Sequence, residues 1–127
     1  MIFSARNSVK NMSNILIAFI LAALLAAPLA AAFTFTSVTS RIFSPKEGDN
    51  AVNRARFHFN NPDAGEVTIR IFDIKGSLIR RNLDTESAST MYWNGRNQSG
   101  SFVKGGIYIY QIEAGEEVIT GTVVVAI

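Results

Sequence analysis

The sole histidine of the chain, His58, is the residue whose type most directly suggests chemistry. It lies in Arg54–Asn60, where polar and apolar residues alternate, so Arg54, Arg56 and His58 should share the outer face of a strand. A catalytic or metal-binding histidine needs a carboxylate, a serine or a second ligand nearby, and the sequence offers no motif that supplies one. We therefore predict a structural, solvent-facing His58.

Oxygen-bearing side chains in the segment Ser44–Asn50 are the next candidates, because they could suggest calcium. Calcium takes about six to eight oxygen ligands, whereas Glu47 and Asp49 follow Lys46 without an ordered acidic spacing. The segment is typical of a solvated turn. The absence of cysteine excludes disulfides, thiol catalysis and cysteine-type zinc sites. With no nucleophile–base pair and no phosphate-binding loop in the sequence, we predict a non-enzyme with no cofactor, no metal and no catalytic residue.

The net charge of +2 depends on the N-terminal segment. Arg6 and Lys10 belong to that segment, and without them ten basic residues balance ten acidic ones. A nucleic-acid-binding face that neutralises many phosphates is therefore not expected.

Residues 1–32 have the pattern of a secretory signal peptide that forms an apolar helix. A polar start with Arg6 and Lys10 is followed by the apolar run Ile15–Ala27 and an alanine-rich end, which predicts cleavage after Ala32. An uncleaved anchor is the alternative, because Ile15–Phe33 approaches the ~20 residues that cross a bilayer. We expect a secreted, periplasmic or cell-surface protein that contacts a membrane only if this leader is retained.

Residues 33–127 are predicted to form one all-β domain. About seven short strands recur at spacings of about ten residues, separated by turn residues and without a convincing helix, which favours an antiparallel sandwich of two sheets. Thr85–Thr90 is predicted to be a polar loop. The strands are expected within Phe33–Ile42, Arg54–Asn60, Glu66–Ile74, Leu78–Leu83, Ser89–Trp93, Ile107–Ile112 and Val118–Ile127.

The stretch from Trp93 to Ile112 should organise the core, because it joins the sole tryptophan to an aromatic strand through a glycine-rich loop. An exposed indole that binds carbohydrate is the alternative. Strand alternation predicts a core made of Trp93, Tyr108, Tyr110, Phe57, Phe59, Val67, Ile69 and Ile71. Turn glycines are predicted at Gly65, Gly76, Gly95, Gly100 and Gly106, with Gly65 supplying the left-handed residue of its turn.

Two blocks of residues resemble the FlgD-type Ig-like domain, a small module of the bacterial flagellar hook-capping protein and of many secreted bacterial proteins. The first block runs from Phe57 to Gly76 and includes Asn61-Pro62. The second consists of Trp93, Asn94, Gly95, Arg96, Asn97, Gly100, Val103, Gly106, Tyr108 and Tyr110. The resemblance covers roughly residues 41–127 and implies an Ig-like or fibronectin type III-like topology. It does not imply hook capping, because those proteins carry further segments and use another export route.

The leading functional interpretation is an exported, non-enzymatic module that acts by protein–protein contact, with an unidentified partner. Two candidate contact surfaces are Arg54 with Arg56 and His58, and the loop that carries Arg96 and Phe102. The apolar C-terminal strand suggests self-association through a sheet edge. A C-terminal-type sorting or anchoring domain for secretion is an alternative, against which stands the lack of a cargo domain in this sequence. Binding of cell-wall glycans through Tyr92, Phe102 or Phe72 is a third.

Overall fold

The computed structural model describes residues 32–46 and 51–127. The predicted signal helix and cleavage site lie outside the described residues, apart from Ala32, and so do residues 47–50 of the predicted solvated turn. Ala31–Ile127 forms one compact unit. Across the described ranges the unit contains strands and one 3₁₀ turn, Ala51–Asn53, but no α-helix. The strands are β1 (Thr34–Thr39), β2 (Ile42–Phe43), β3 (Ala55–Asn60), β4 (Val67–Asp73), β5 (Leu78–Arg80), β6 (Asp84–Ser87), β7 (Thr90–Trp93), β8 (Gly106–Ala114) and β9 (Glu117–Val125).

The strands form two sheets, which confirms the predicted all-β fold in its coarse form. The first sheet has the order β1-β3-β7-β6, and the second has the order β2-β9-β8-β4-β5. Neighbouring strands are antiparallel except for the short parallel pair of β2 with the end of β9. The two sheets share one core.

The structure has more strands than the sequence predicts, for two physical reasons. The predicted first strand, Phe33–Ile42, is divided at Ser40, whose φ of 54° turns the chain out of the first sheet and into the second. The predicted loop Thr85–Thr90 is wrong for Thr85–Ser87, which belong to β6 and pair with β7, and for Thr90, which begins β7, whereas Ala88 and Ser89 form the turn between these strands. All four residues of β6 are exposed, so the strand lacks the alternation of apolar residues that would reveal it.

Aromatic contacts between the sheets join their inner faces. Phe57 on β3 meets Tyr110 on β8 with ring centroids 5.0 Å apart, and Trp93 on β7 meets Tyr108 on β8 at 5.2 Å. Both pairs are edge-to-face, the arrangement that aromatic rings favour over direct stacking. Every residue of this core lies between positions 43 and 125, so the unit supplies its own core.

The unit has two distinct ends. At the tryptophan end, β4 and β9 finish, β5 and β8 begin, and Trp93 lies against the start of β8. At the hairpin end, the tight turn between β8 and β9 lies beside the turn that leads into β4.

Strand β9 is covered only in part along its outer edge. It pairs with β8 along its whole length, whereas β2 pairs with it at Val124 and Val125 alone. No described strand pairs with the outer edge of β9 before Val124. The predicted self-association through this strand remains a prediction.

Candidate functional site

Trp93 forms the base of the candidate site at the tryptophan end. Its side chain is 0% exposed and makes edge-to-face contacts with Phe43 and Tyr108. The indole Nε1 donates a hydrogen bond of 2.9 Å to the carbonyl oxygen of Arg96, so the buried polar group of the ring has a partner. This geometry joins the core to the loop above it and leaves no free indole face for a sugar.

The loop from Asn94 to Gly105 is ordered by the side chain of Asn97. Its Oδ1 accepts hydrogen bonds from the backbone N–H of Ser99 at 3.1 Å and of Ser101 at 3.0 Å, and from the Ser99 hydroxyl at 2.8 Å. Such a turn built on one asparagine fixes the backbone locally without a helix or strand. The backbone N–H of Gln98 adds a bond to the Ile79 carbonyl of β5, which holds the loop against the second sheet.

Gly95 allows the chain at 41–46 to lie against this loop. Its φ is 77°, in the left-handed region, and a Cβ added there would lie 2.5 Å from Cγ of Pro45. A larger residue would therefore meet both backbone strain and a clash with a rigid proline ring. Pro45 was not singled out from the sequence, because a contact between positions so far apart has no local signal.

The predicted contact residues Arg96 and Phe102 are brought together. The guanidinium carbon of Arg96 lies 4.1 Å from the centroid of the Phe102 ring, and its Nη1 donates to the Gly100 carbonyl at 2.8 Å. Phe102 keeps 41% of its surface exposed. The pair therefore presents an apolar edge with a cation held over one ring face, a geometry worth about 0.5–1 kcal/mol at an exposed site.

The predicted surface of Arg54, Arg56 and His58 is wrong for Arg54. This residue is only 7% exposed, and its guanidinium carbon lies 4.3 Å from the centroid of the Tyr92 ring. Tyr92 lies opposite Arg56 on the outer face, so Arg54 is on that face as predicted but is covered there instead of exposed. An arginine buried against an aromatic ring is a structural group, not a free contact residue.

Arg56 and His58 do lie on the outer face of the first sheet, within a bonded row. Arg56 forms an ion pair with Glu86 of β6 at 3.0 Å. The hydrogen bond from Arg56 is the main cause that holds the pKa of the Glu86 carboxyl below its usual value. The imidazole of His58 lies 2.9 Å from the Thr39 hydroxyl and 3.2 Å from the Thr90 hydroxyl, which ties β1, β3 and β7 together.

Tyr108 combines a buried ring with a bound hydroxyl. Its hydroxyl donates a hydrogen bond of 2.7 Å to the Lys104 carbonyl, which secures the end of the loop that begins at Trp93. Burial first, and then the negative charge of Asp73, raise the pKa of this hydroxyl. The residue remains a neutral donor over the ordinary pH range.

The predicted turn glycines divide into two groups. Gly76, Gly95, Gly100 and Gly106 have positive φ values. The prediction for Gly65 is wrong, because the left-handed residue of that turn is Ala64, with a φ of 51°. A hydrogen bond of 2.7 Å from the Asn61 side chain to the Gly65 carbonyl, together with the Ala64 N–H to Asn61 carbonyl bond, closes the turn one residue earlier than expected.

The residues predicted for the core occupy its two facing sheets. Seven of them are buried, namely Trp93, Tyr108, Tyr110, Phe57, Phe59, Ile69 and Ile71, and Val67 is partly buried against them. Sequence reasoning missed Phe43 and Leu83, which are also buried. Phe43 follows the change of sheet at Ser40, and Leu83 lies between two short strands, so neither stands in an alternating run.

The described residues contain no group of three or more histidine, cysteine, aspartate or glutamate side chains placed to hold a metal ion. Among the same residues, no helix is long and apolar enough to cross a membrane. At the tryptophan end, a shallow groove of about 410 Å³ is lined by Ser44, Pro45, Lys46, Phe102, Val103 and Ile127.

Comparison with known proteins gives one informative match. A family model described as a secretion system C-terminal sorting domain matches residues 51–126. The match begins at the 3₁₀ turn and runs through β3 to β9. No curated protein and no solved structure matches the chain.

Proposed function

Because the chain belongs to the family of secretion system C-terminal sorting domains, we propose that it directs export by presenting a folded β domain to a secretion apparatus. The single observation that carries this proposal is the match over residues 51–126, which covers more than half of the chain. Family membership favours the sorting alternative over the structural contact module that leads the sequence interpretation.

The matched segment contains the aromatic core and the loop that rests on it. Trp93, Tyr108 and Tyr110 all lie within it, as does the Asn97 turn. A sorting signal that is a folded surface requires that the fold form first, because the contact residues come from strands distant in sequence. We therefore expect sorting to depend on the integrity of this core.

The finer fold assignment forms part of the same proposal. The two sheets, antiparallel except for the short β2–β9 pair, and their disulfide-free core support an Ig-like or fibronectin type III-like topology. The Trp93 to Tyr110 block supports a relationship to the FlgD-type domain. The domain would act by protein contact, without catalysis.

Glycan binding has less support from the geometry. Two of the three candidate rings, Tyr92 and Phe102, each carry an arginine over one face, so neither offers that face to a sugar. No separate observation favours this function.

A reporter fusion tests the proposal. A signal peptide followed by a reporter and then by residues 33–127 should deliver the reporter to the surface of a bacterium that has this type of secretion system. The same fusion without residues 33–127 should remain in the periplasm. Surface delivery is measured as reporter cleaved by a protease added to intact cells, and equal cleavage of both fusions would refute the proposal.

A pair of variants separates the fold from a linear signal. Trp93→Ala should abolish surface delivery, because it removes the centre of the core. Thr120→Ser, at an exposed strand position, should leave delivery unchanged. If the Trp93→Ala fusion reached the surface as efficiently as the parent fusion, the sorting signal would be a linear sequence and not the folded domain.

A further inference from the structure

The exposed apolar side chains of the described unit are concentrated at one end. Eight large apolar residues are exposed, and seven of them lie at the tryptophan end, with Val118 the exception. Four project from segments between or beyond the strands, namely Val52, Ile74, Phe102 and Ile127. Single exposed apolar residues need no explanation, but clustering from distant parts of a chain marks an interaction surface.

The other three members lie where strands begin at the same end. Ile42 on β2 and Ile107 on β8 are both opposite Val124 of β9, so they flank it on the outer face of the second sheet. Leu78 begins β5 beside Phe72. The apolar end therefore continues for a short distance down the outer face of this sheet.

Basic residues stand beside these apolar ones. Arg41 precedes Ile42, Lys75 follows Ile74, and Lys104 comes two residues after Phe102. All three cations are exposed. Arg96 lies over the ring of Phe102, and Lys46 lines the groove that also contains Ile127.

Acidic residues are few at this end and numerous at the other. Asp73 and Asp84 are the acidic residues described there. The Oδ1 of Asp73 accepts hydrogen bonds from the backbone N–H groups of Lys75 and Ser77, and Asp84, which begins β6 opposite Tyr92, forms an ion pair of 2.9 Å with Arg80. Glu47 and Asp49 belong to the adjoining loop but lie outside the described residues. Among the described residues, the five basic residues named above outnumber the two acidic ones, Asp73 and Asp84. The turns of the hairpin end contain no lysine or arginine. The acidic residues in and beside these turns are Asp63, Glu66, Glu116 and Glu117.

We propose that the tryptophan end binds the surface of an anionic lipid membrane, inserting its exposed apolar side chains between headgroups that its cations contact. Apolar residues beside lysine or arginine suit this interface, because both the burial of apolar side chains and positive charge increase affinity for an anionic membrane. The acidic hairpin end would point away from the membrane. An acidic protein is the rival occupant, and the shallow groove beside Phe102 and Ile127 is the place where its anchor residue would bind. The exposed Ile42, Ile74 and Leu78 lie outside that groove, and insertion between headgroups would bury them as well.

This inference does not depend on the sorting function, because it concerns lipid affinity of the folded unit alone. The test uses residues 33–127, which contain the complete core. Sedimentation with vesicles of phosphatidylcholine and phosphatidylglycerol should recover the protein, and vesicles of phosphatidylcholine alone should recover far less. Binding should weaken as salt rises, because screening reduces the attraction of exposed charges.

Matched variants identify the surface. Replacing Lys75 and Lys104 by glutamine should reduce partition into anionic vesicles about twenty-five-fold, since each cation near such a surface contributes roughly fivefold. The control, Ala88→Glu with Thr120→Glu, lowers the net charge equally but at exposed positions away from the tryptophan end, and it should bind like the parent. Ile74→Asn should reduce binding at least about fivefold if the side chain inserts.

Thermal unfolding of each variant checks that the fold is retained. Equal binding to neutral and anionic vesicles, no binding to either, or an equal loss in the Ala88 and Thr120 control would overturn the proposal. Capture of an acidic protein by a unit that fails to bind anionic vesicles would do the same.

Discussion

At the residue scale, the account depends on a few side chains that join the core to the loop at the tryptophan end. Trp93 links the two by ring contacts and by its bond to the Arg96 carbonyl. Tyr108 links them again through the Lys104 carbonyl. The ring contacts contribute apolar packing, and the bonds to the Arg96 and Lys104 carbonyls are hydrogen bonds. Substitutions can therefore test the two contributions separately.

Replacing Trp93 by alanine should lower the free energy of unfolding by about 3–5 kcal/mol, the usual cost of deleting a large buried side chain. A domain of this size has only about 5–10 kcal/mol of stability, so the variant should be close to unfolded. Urea titration measures the change. Phe102→Ala, at a partly exposed ring, should cost about 1 kcal/mol and serves as the control. Similar losses in the free energy of unfolding for the two variants would contradict the claim that the indole is the centre of the core.

Gly95 and Gly100 offer a matched pair, because both have positive φ but only Gly95 lies against another segment. Gly100→Ala should cost about 1–2 kcal/mol from backbone strain alone. Gly95→Ala should cost about 1–3 kcal/mol more, because its Cβ would overlap the Pro45 ring. Chemical denaturation of both variants measures the difference, and equal costs would show that Pro45 moves aside freely.

The raised pKa of Tyr108 predicts a loss of stability at alkaline pH. A hydroxyl whose pKa is higher in the folded state than in the unfolded chain stabilises the fold fully below the ordinary value of 10.0, and this contribution is lost as pH rises above it. Tyr108→Phe removes that titration. Its free energy of unfolding should therefore fall less than that of the parent between neutral pH and pH values above 10.0. If the stabilities of the variant and the parent fell in parallel as the pH rises, the titration of Tyr108 would not contribute to the loss.

At the element scale, the alternating strands could be predicted from the sequence and the irregular connections could not. β3, β4 and β8 each place apolar residues on one face, which a period of two reveals. β6 has no apolar residue, and β2 depends on the change of sheet at Ser40, a tertiary event. The burial of Arg54 is likewise tertiary, because the ring of Tyr92 that covers it comes from another strand.

Hydrogen exchange should reflect this arrangement of strands. β8 lies between β4 and β9 and carries three buried residues of the core cluster, Tyr108, Tyr110 and Ile112, so its backbone amides should exchange slowest. β6 is a sheet edge with four exposed residues and should exchange fastest among the strands. Amide exchange followed by NMR gives the order. Slow exchange in β6 would indicate that another surface covers that edge.

At the scale of the whole molecule, the candidate surfaces could be foreseen less well than the core. Burial follows from local alternation, whereas the tryptophan end gathers apolar and basic residues from segments around positions 41, 52, 75, 102 and 127. No window of the sequence contains them together. The loop of Arg96 and Phe102 was identified because both residues lie in one glycine-rich stretch, and Pro45 was not because its contact is long-range.

The most direct measurement compares surface delivery of one reporter in two strains. The reporter carries a signal peptide and residues 33–127, and the strains differ only in the outer-membrane secretion system that sorts proteins with such domains. The account predicts that added protease cleaves the reporter on intact cells of the first strain, and that the reporter stays protected in the periplasm of the second. Equal cleavage in both strains would contradict the assignment of this chain as a sorting domain.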